Sequence, residues 1–300
     1  MNKMNRKEKI MNRLQEHYNY LISLGYEVVC LCLQGSQNYN LDEYSEEYMS
    51  DIDTKAIVLP HLDDFIMAAS PVSTTIIMDN NEHIDVKDIR IMFDMFKKMN
   101  ISYIELLYTE FKIINPEWAD LIEPLFANKE LVSSRNRTQF IKCIYGMATE
   151  KRKALCHPYP NTIEKIKKYG YDGKQLHHCA RLFNFISRYV EGNEPLESCY
   201  KIDGEEKVFL MNLKKQKDAN GNFFYLSDLI PRYLESSKWN SSRNINSCLK
   251  IVKKYGDLSA HNRRFLAKKT DIAGFKFELR QALQEIILTI DYSNWEKDKS

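Results

Sequence analysis

The chain has no apolar run on the order of 18 residues, the length that a membrane-spanning helix requires. Its N-terminus is polar and basic and is not followed by the apolar core of a secretory leader. It also has no excess of charge of one sign, since 43 basic and 41 acidic residues leave a net charge of +2. A polyanion site must therefore be a local cluster of cations. We expect a cytoplasmic protein without a membrane partner.

The seven cysteines include no Cys-x-x-Cys pair, and their number is odd. The neighbours Cys156 and His157, and His178 and Cys179, lack the paired spacing of a zinc site. Free thiols of this kind favour a reducing compartment. The cysteines therefore give no support to a structural zinc site.

A Gly-Ser pair follows the apolar, β-branched run at residues 28–33, which predicts a buried strand. Gly35 lets the backbone turn closely, and Ser36 at a helix start offers a hydroxyl and an N–H to phosphate oxygens. Asp51 and Asp53 lie two positions apart, and on an extended strand this spacing puts both carboxylates on one face. Paired carboxylates are ligands of the kind that Mg²⁺ prefers.

A predicted hairpin supplies a further carboxylate. Residues 74–78 and 83–87 predict two strands joined by a turn. The second strand buries Ile84 and Val86 by alternation, so Asp85 points to the opposite face. The other residues on that face are His83 and Lys87.

Three acids of this segment are candidates for a third metal ligand. Asp85 is preferred because of the strand face on which it lies. Asp88 comes second, since it directly precedes a helical pattern at residues 89–96 and is suited to capping that helix. Glu82, just before the strand, comes third.

The order of the predicted elements is typical of a small mixed sheet backed by helices. A helix at residues 6–24 leads into the first strand, and the pattern continues to Asn115, where Pro116 marks a helix boundary. We therefore expect an α+β fold, with a catalytic domain at residues 1–115 and a mainly α-helical domain at residues 116–300.

The chain after Pro116 carries helical periodicity and few strand signals. The predicted helices cover residues 117–126, 136–154, 163–168, 173–191, 226–234, 247–255 and 273–290. One exception is the apolar run at residues 208–213. With the Asn-Gly turn at 218–222 and the aromatic run at 223–225, it predicts a short hairpin or an extended loop.

A basic stripe is predicted on the helix that begins after Asp172. It consists of Lys174, His177 or His178, and Arg181. Intervals of three and four residues put these side chains on one helical face, where they would offer up to three donors to a polyanion. The alternative is a solvated charged face.

These patterns carry a resemblance to a known family. Gly35-Ser36 followed by Asp51-Ile52-Asp53 resembles the signature of the DNA polymerase beta-like nucleotidyltransferase superfamily, which adds a third carboxylate from a later strand. The segment from Tyr171-Asp172-Gly173-Lys174 to Arg181-Leu182 resembles a helical-domain motif of one branch, the predicted nucleotidyltransferases of bacteria and phages, some encoded beside RNA ligases. Asn100 with Glu105-Leu106-Leu107 is similar to the stretch after the third acid in that branch, with Ile101 in place of the usual proline.

The resemblance implies transfer of a nucleoside monophosphate from an NTP to a hydroxyl of RNA, a protein or a small molecule, with release of pyrophosphate. Two Mg²⁺ ions, which Mn²⁺ can replace, would be held by Asp51, Asp53 and Asp85 and would activate the acceptor hydroxyl. The nucleotide-binding residues would be Gly35, Ser36, Lys55, Lys174, His178 and Arg181.

Several alternatives stay open. Lys55 either contacts the triphosphate or serves as a counter-charge to the aspartates. RNA such as a tRNA is a candidate partner, because local basic clusters occur and 18 Tyr and 14 Phe residues are available to stack on bases. The clusters lie at residues 165–168, 214–217, 253–254, 263–264 and 268–269. The alternative function is a catalytically silent nucleotide- or RNA-binding module that kept the fold.

Overall fold

The computed structural model describes residues 6–43, 50–155, 157–190 and 194–216, and a five-stranded mixed sheet lies in its first part. The strands are β1 (Glu27–Leu33), β2 (Thr54–Leu59), β3 (Ser73–Ile77), β4 (His83–Asp88) and β5 (Lys112–Ile114). The helices are α1 (Arg6–Ser23), α2 (Leu62–Ile66), α3 (Ile89–Lys97), α4 (Ile101–Ile104), α5 (Ala119–Ala127), α6 (Lys129–Ser134), α7 (Arg137–Lys153), α8 (Ile163–Tyr169), α9 (Gly173–Val190), α10 (Leu196–Cys199) and α11 (Gly204–Lys215). Short 3-10 helices span Gly35–Tyr39, Glu105–Tyr108 and Pro116–Trp118. Sheet and helices together confirm the predicted α+β class.

The strand order in the sheet is β3-β4-β2-β1-β5. β1 pairs antiparallel with β2 and β5, β3 pairs antiparallel with β4, and β2 and β4 run parallel. The register places Leu33 opposite Thr54 and Lys55 opposite Asp85. The parallel pairing therefore brings the beginning of β4 beside the segment that enters β2.

The hydrophobic core joins α1 to the sheet. Its fully buried members include Ile10, Leu14, Leu21, Val28, Leu31, Leu33, Ile84 and Val86. Complete burial of each such Leu, Ile or Val side chain contributes about 2 kcal/mol. The helical spacing on α1 and the alternation on β4 thus produce the packing that the sequence predicts.

The described residues form two compact units. Those up to Cys143, together with Leu196–Ile202, make the first unit, which contains the sheet. The second unit is helical and consists of the described residues of Ile144–Pro195 and of those from Asp203 onward. The predicted domain boundary between residues 115 and 116 stays a prediction. None of the helices in the described ranges is long and apolar enough to cross a membrane.

Most predicted elements before residue 216 are confirmed. They include α1, β1, the β3-β4 hairpin, α3, α7, α8 and α9. β5 was not predicted, because its three half-buried residues are too few to show an alternation. The turn predicted at 218–222, the aromatic run at 223–225 and the helices predicted at 226–234, 247–255 and 273–290 lie outside the described residues.

The prediction of a hairpin or extended loop at residues 208–213 is wrong, because these residues lie within α11. Leu210, Met211 and Leu213 are buried at helical spacing. Acidic residues occupy the first turn of α11 and lysines the last, which suits the helix dipole. A short apolar run fits a strand or a buried helix equally well by pattern alone, and packing decides between them.

Candidate active site

The Gly-Ser pair begins a short helix directly after β1. Gly35 has φ of 80°, a left-handed conformation that residues with a Cβ rarely adopt, so the glycine is required by the turn itself. Ser36 is partly exposed in the first turn of the 3-10 helix. The helix ends at Tyr39, and Asn40, which caps it, has φ of 59° and lies in the left-handed region. The predicted helix start at Gly35 and Ser36 is therefore present.

The two halves of the predicted motif lie side by side. The backbone N–H of Gln34 donates to the carbonyl oxygen of Asp53 at 2.9 Å. The side-chain amide of Gln37, within the Gly-Ser helix, donates to the carbonyl oxygens of Ser50 at 3.4 Å and Asp51 at 3.3 Å. The antiparallel pairing of β1 and β2 creates this contact, because it places the end of one strand against the start of the next.

Asp51 and Asp53 immediately precede β2. Asp51 is exposed, Ile52 is 1% exposed, and Asp53 is partly exposed, so the two carboxylates alternate with a core residue as predicted. The Oδ1 atom of Asp53 accepts the backbone N–H of His83 at 2.9 Å and lies 3.2 Å from His83 Nδ1. The parallel pairing of β2 and β4 thus places His83, which was not predicted as a site residue, against one of the candidate ligands.

Asp85 lies between two lysines. Its Oδ1 atom is 2.7 Å from Lys87 Nζ, and its Oδ2 atom is 3.2 Å from Lys55 Nζ. Thr75 Oγ1 donates a longer hydrogen bond to Oδ1 at 3.4 Å. The face predicted for Asp85 is confirmed, and both of its oxygens have a cationic partner on that face.

Lys55 is almost buried, with 4% exposure. Its Nζ atom lies 4.3 Å from the centre of the Tyr103 ring, in addition to its contact with Asp85. Burial lowers the pKa of Lys55, and the charge of Asp85 opposes this effect. Burial also raises the pKa of Tyr103 to about 12, with a smaller contribution from Asp85. These contacts match the counter-charge alternative for Lys55.

The two other acids considered for the third ligand are occupied elsewhere. Asp88 is fully buried and caps α3, since it accepts the backbone N–H of Arg90 at 2.8 Å and pairs with the Arg90 guanidinium at 2.6 Å. Glu82 is 7% exposed and contacts Arg13 and His17 of α1. Asp88 is therefore the helix cap that the sequence predicts, and Glu82 faces the core.

The fit to magnesium differs among the predicted ligands. Asp51 and Asp53 are oxygen donors at the surface and beside the Gly-Ser helix, which suits a hard cation. At Asp85 an ion would have to replace lysine contacts on the carboxylate. Across the described part of the chain, no three His, Cys, Asp or Glu side chains come together as a metal-binding group. Ligation by Asp85 stays a prediction.

The predicted basic stripe belongs to the second unit, whereas the aspartates belong to the first. Asp172 accepts the backbone N–H of Lys174 at 3.0 Å, which explains why α9 begins where predicted. Lys174 is exposed, His178 is partly buried and Arg181 is 9% exposed. These three residues lie on α9 at the intervals that the sequence predicts.

His177 has a structural role. Its ring is 2% exposed, and its Nδ1–H donates to the carbonyl oxygen of Leu210 on α11 at 2.8 Å. Burial lowers the pKa of His177 to about 4, so the ring is neutral at physiological pH. Of the two histidines considered for the stripe, His178 is the more exposed.

Lys151, on α7, adds a cation that was not predicted. Burial lowers its pKa, and the charges of Lys174 and Arg181 lower it further. The pKa of His178 is lowered first by burial and then by the charge of Arg181. Cations that depress one another's pKa create a field that favours a bound anion. Lys151 belongs to no sequence motif, and only the packing of α7 against α9 brings it near Lys174 and Arg181. One contact between these two helices is that of Cys179 Sγ with Ala148 O at 3.6 Å.

No protein-family model and no curated protein matches the chain. The resemblance to the nucleotidyltransferase superfamily therefore rests on the residues quoted above.

Proposed function

We propose that the protein is a magnesium-dependent nucleotidyltransferase that moves a nucleoside monophosphate from an NTP to a hydroxyl acceptor and releases pyrophosphate. The observation that carries the proposal is the hydrogen bond from Gln34 N to Asp53 O at 2.9 Å. It joins the Gly-Ser helix to the paired aspartates, although a long stretch of sequence separates them. A phosphate-binding turn and two carboxylates at one place are what binding of an NTP with its metal requires.

The roles of the residues follow from their positions. Asp51 and Asp53 would hold Mg²⁺, which when bound neutralises phosphate charge and lowers the pKa of the acceptor hydroxyl. Ser36 would bind the β- or γ-phosphate through its hydroxyl and N–H. In the helical unit, Lys174, His178 and Arg181 are the residues proposed to bind phosphate. The acceptor hydroxyl gives up its proton to solvent and its oxygen forms a bond to the α-phosphorus, as the bond from that phosphorus to the pyrophosphate oxygen breaks.

The test measures pyrophosphate release and label transfer with each of the four NTPs, in Mg²⁺ and in Mn²⁺. RNA such as tRNA, proteins and small hydroxyl compounds are offered as acceptors. The double variant Asp51→Asn/Asp53→Asn is expected to lose at least about 100-fold in rate, the size of effect seen when a major electrostatic stabiliser is removed. Equal rates for this variant and the wild type, or no release under any of these conditions, would overturn the proposal.

A second function, a silent nucleotide- or RNA-binding module, is favoured by the contacts of Asp85. A carboxylate paired with Lys55 and Lys87 is stable without a metal. For this function, nucleotide or RNA affinity would be the same in wild type and in Asp51→Asn, with or without Mg²⁺. If RNA is the partner, affinity will fall steeply with salt, because phosphate contacts release counterions. A cytoplasmic location, where NTP and Mg²⁺ are supplied, is part of either proposal.

A further inference from the structure

A buried carboxylate lies directly behind the paired aspartates. Glu82 precedes β4, and its Oε1 atom accepts the backbone N–H of Ile52 at 3.3 Å. Ile52 is the residue between Asp51 and Asp53, and it faces the core with 1% exposure. Glu82 therefore contacts the aspartate segment from its inner side.

Helix α1 holds the other oxygen of Glu82. Arg13 donates to Oε2 from Nε at 2.9 Å and from Nη2 at 2.6 Å. His17 Nε2 lies 3.1 Å from the same oxygen, and the His17 ring is fully buried. Oε1 of Glu82 thus binds the segment that carries the aspartates, residues 51–53, and Oε2 binds α1.

The same histidine also contacts the other end of the segment. His17 Nδ1 lies 3.0 Å from the hydroxyl of Thr54, the residue that follows Asp53. Thr54 is fully buried. The short stretch that carries both candidate ligands is therefore tied to α1 twice, once through Glu82 and once through Thr54.

The polar contacts interrupt an apolar surface. The buried positions of α1 are Ile10, Leu14, His17 and Leu21, so His17 is the polar member of an apolar stripe. A buried ionised group costs free energy unless it is paired, and apolar residues fill such a space at lower cost. Burial alone would raise the pKa of Glu82, but hydrogen bonds from His17, Asn80 and Arg13 outweigh it and lower the pKa to about 2. Glu82 is therefore a constant acceptor for the Ile52 N–H.

We propose that Glu82 is a positioning residue, which fixes the direction of the Asp51 and Asp53 side chains by holding the backbone between them, with Arg13 and His17 fixing Glu82 in turn. This inference rests on the proposed function, because it treats the two aspartates as metal ligands. It differs from the view of Glu82 as a third ligand, since both of its oxygens point to protein groups.

The test compares Mn²⁺ affinity, read from the electron paramagnetic resonance signal of free Mn²⁺, with the kinetics of pyrophosphate release. Glu82→Ala removes the acceptor of the Ile52 N–H. Mn²⁺ affinity and kcat are expected to fall by about 10- to 100-fold, the usual effect of removing a group that orients a ligand. The KM for NTP is expected to change little, because Ser36, the residue proposed to bind phosphate beside the aspartates, is intact.

A rescue pair at Arg13 tests the same idea with Glu82 in place. Arg13→Met is expected to weaken Mn²⁺ binding in the same direction and by less, and Arg13→Lys, which keeps a charged donor, to restore it. Leu21→Ala is the matched control, because it removes a fully buried but apolar side chain of α1, which cannot donate a hydrogen bond to Glu82. Its Mn²⁺ affinity should equal that of the wild type at a temperature where both are folded.

The outcomes separate the two levels of the proposal. If the wild type binds Mn²⁺ and Glu82→Ala binds it equally well, the positioning role is overturned and the proposed function stands. If Glu82→Ala does not fold, the same conclusion follows from unchanged Mn²⁺ binding in Arg13→Met. An equal loss in Leu21→Ala would overturn the positioning role as well, since the effect would then be general destabilisation. Failure of the wild type to bind Mn²⁺ would remove the proposed function and this inference with it.

Discussion

The carboxylates around the sheet fall into two electrostatic classes. Asp51 is exposed and Asp53 is partly exposed, so water screens the repulsion between them. Asp85 instead forms ion pairs with Lys55 and Lys87 at a largely buried place. Loss of the negative charge should therefore reduce stability much more at Asp85 than at Asp51.

Asp85→Asn is expected to reduce the free energy of unfolding by about 2 to 3 kcal/mol. The reason is that Lys55, 4% exposed, loses its carboxylate partner, and an unpaired buried charge is costly. Asp51→Asn should change stability by less than about 0.5 kcal/mol, as is usual at an exposed position. Urea unfolding followed by circular dichroism measures both. Equal stabilities of Asp85→Asn and wild type would show that the ion pairs contribute nothing net.

Glu82 gives the protein a defined response to acid. Its pKa is lowered to about 2 from the ordinary 4.5, so the folded protein binds this proton more weakly than the unfolded chain. The stabilisation is complete above about pH 4.5, is lost as pH falls from there toward 2, and amounts to roughly 3 kcal/mol.

Urea unfolding between about pH 5 and pH 3 checks this window. The free energy of unfolding of the wild type should fall more steeply with acid than that of Glu82→Gln, which has no proton to take up at this position. Parallel pH profiles of the two proteins would contradict the assignment of the acid response to Glu82.

Local sequence patterns predicted on which face of its strand a residue lies, but not which residue it contacts. Alternation along β4 is enough to place Asp85 on the other face of the strand from Ile84 and Val86. The pairing of Lys55 with Asp85 depends on the parallel register of β2 and β4, which no local pattern specifies. His17 left a readable signal, since a polar residue at a buried position of an apolar stripe needs a partner.

At the scale of elements, α9 and α11 approach each other closely at Gly173. A Cβ atom there would lie 2.6 Å from the carbonyl oxygen of Leu213 and 2.6 Å from the Gln216 side chain. The carbonyl oxygen belongs to the backbone and cannot turn aside. His177 and Leu210 join the same two helices by their hydrogen bond, so the pair forms one packed element.

Gly173→Ala is expected to destabilise the protein by about 1 to 3 kcal/mol, because overpacking forces the helices apart. Gly146→Ala, within α7, is the matched control. A Cβ at Gly146 meets no atom within 4 Å, so the better helix propensity of alanine should stabilise the protein by about 0.5 to 1 kcal/mol. Thermal unfolding of the two variants should shift in opposite directions. A shift of the same sign in both would contradict the close approach at Gly173.

The elements that the sequence predicts best are those formed by contiguous residues. β1, the β3-β4 hairpin and α9 each have a period or a turn within their own span. α11 was misread because its apolar run has no period that distinguishes helix from strand, and its burial depends on α9. β5 exists because β1 offers it an edge, which is a property of the tertiary structure.

At the scale of the whole molecule, the residues predicted to bind metal and phosphate are divided between the two units. The aspartates and the Gly-Ser helix belong to the sheet unit, and Lys174, His178 and Arg181 to the helical unit. Nucleotide binding to the folded chain should stabilise it by linkage, and above the Kd this stabilisation grows with the logarithm of nucleotide concentration.

An NTP with Mg²⁺ at about 100 times its Kd is expected to add about 2.7 kcal/mol to stability and to raise Tm. Asp51→Asn/Asp53→Asn should lose the part of the shift that depends on Mg²⁺. Lys174→Gln should lower affinity by about 10-fold, as expected for one charge-assisted hydrogen bond. Lys165→Gln, at an exposed lysine of α8, is the control and should bind as the wild type. A shift unaffected by any of these changes would place the nucleotide elsewhere.

The pairing of β5 with β1 has a consequence during synthesis. The register pairs Cys30 with Ile114 and Cys32 with Lys112. One edge of β1 therefore stays unpaired until the residues of β5, which are made much later, are available. Until those residues leave the ribosome, the edge of β1 is a template for pairing with another growing chain. Chains that stop before Lys112 would keep this edge open permanently, and we expect them to aggregate where the full chain folds.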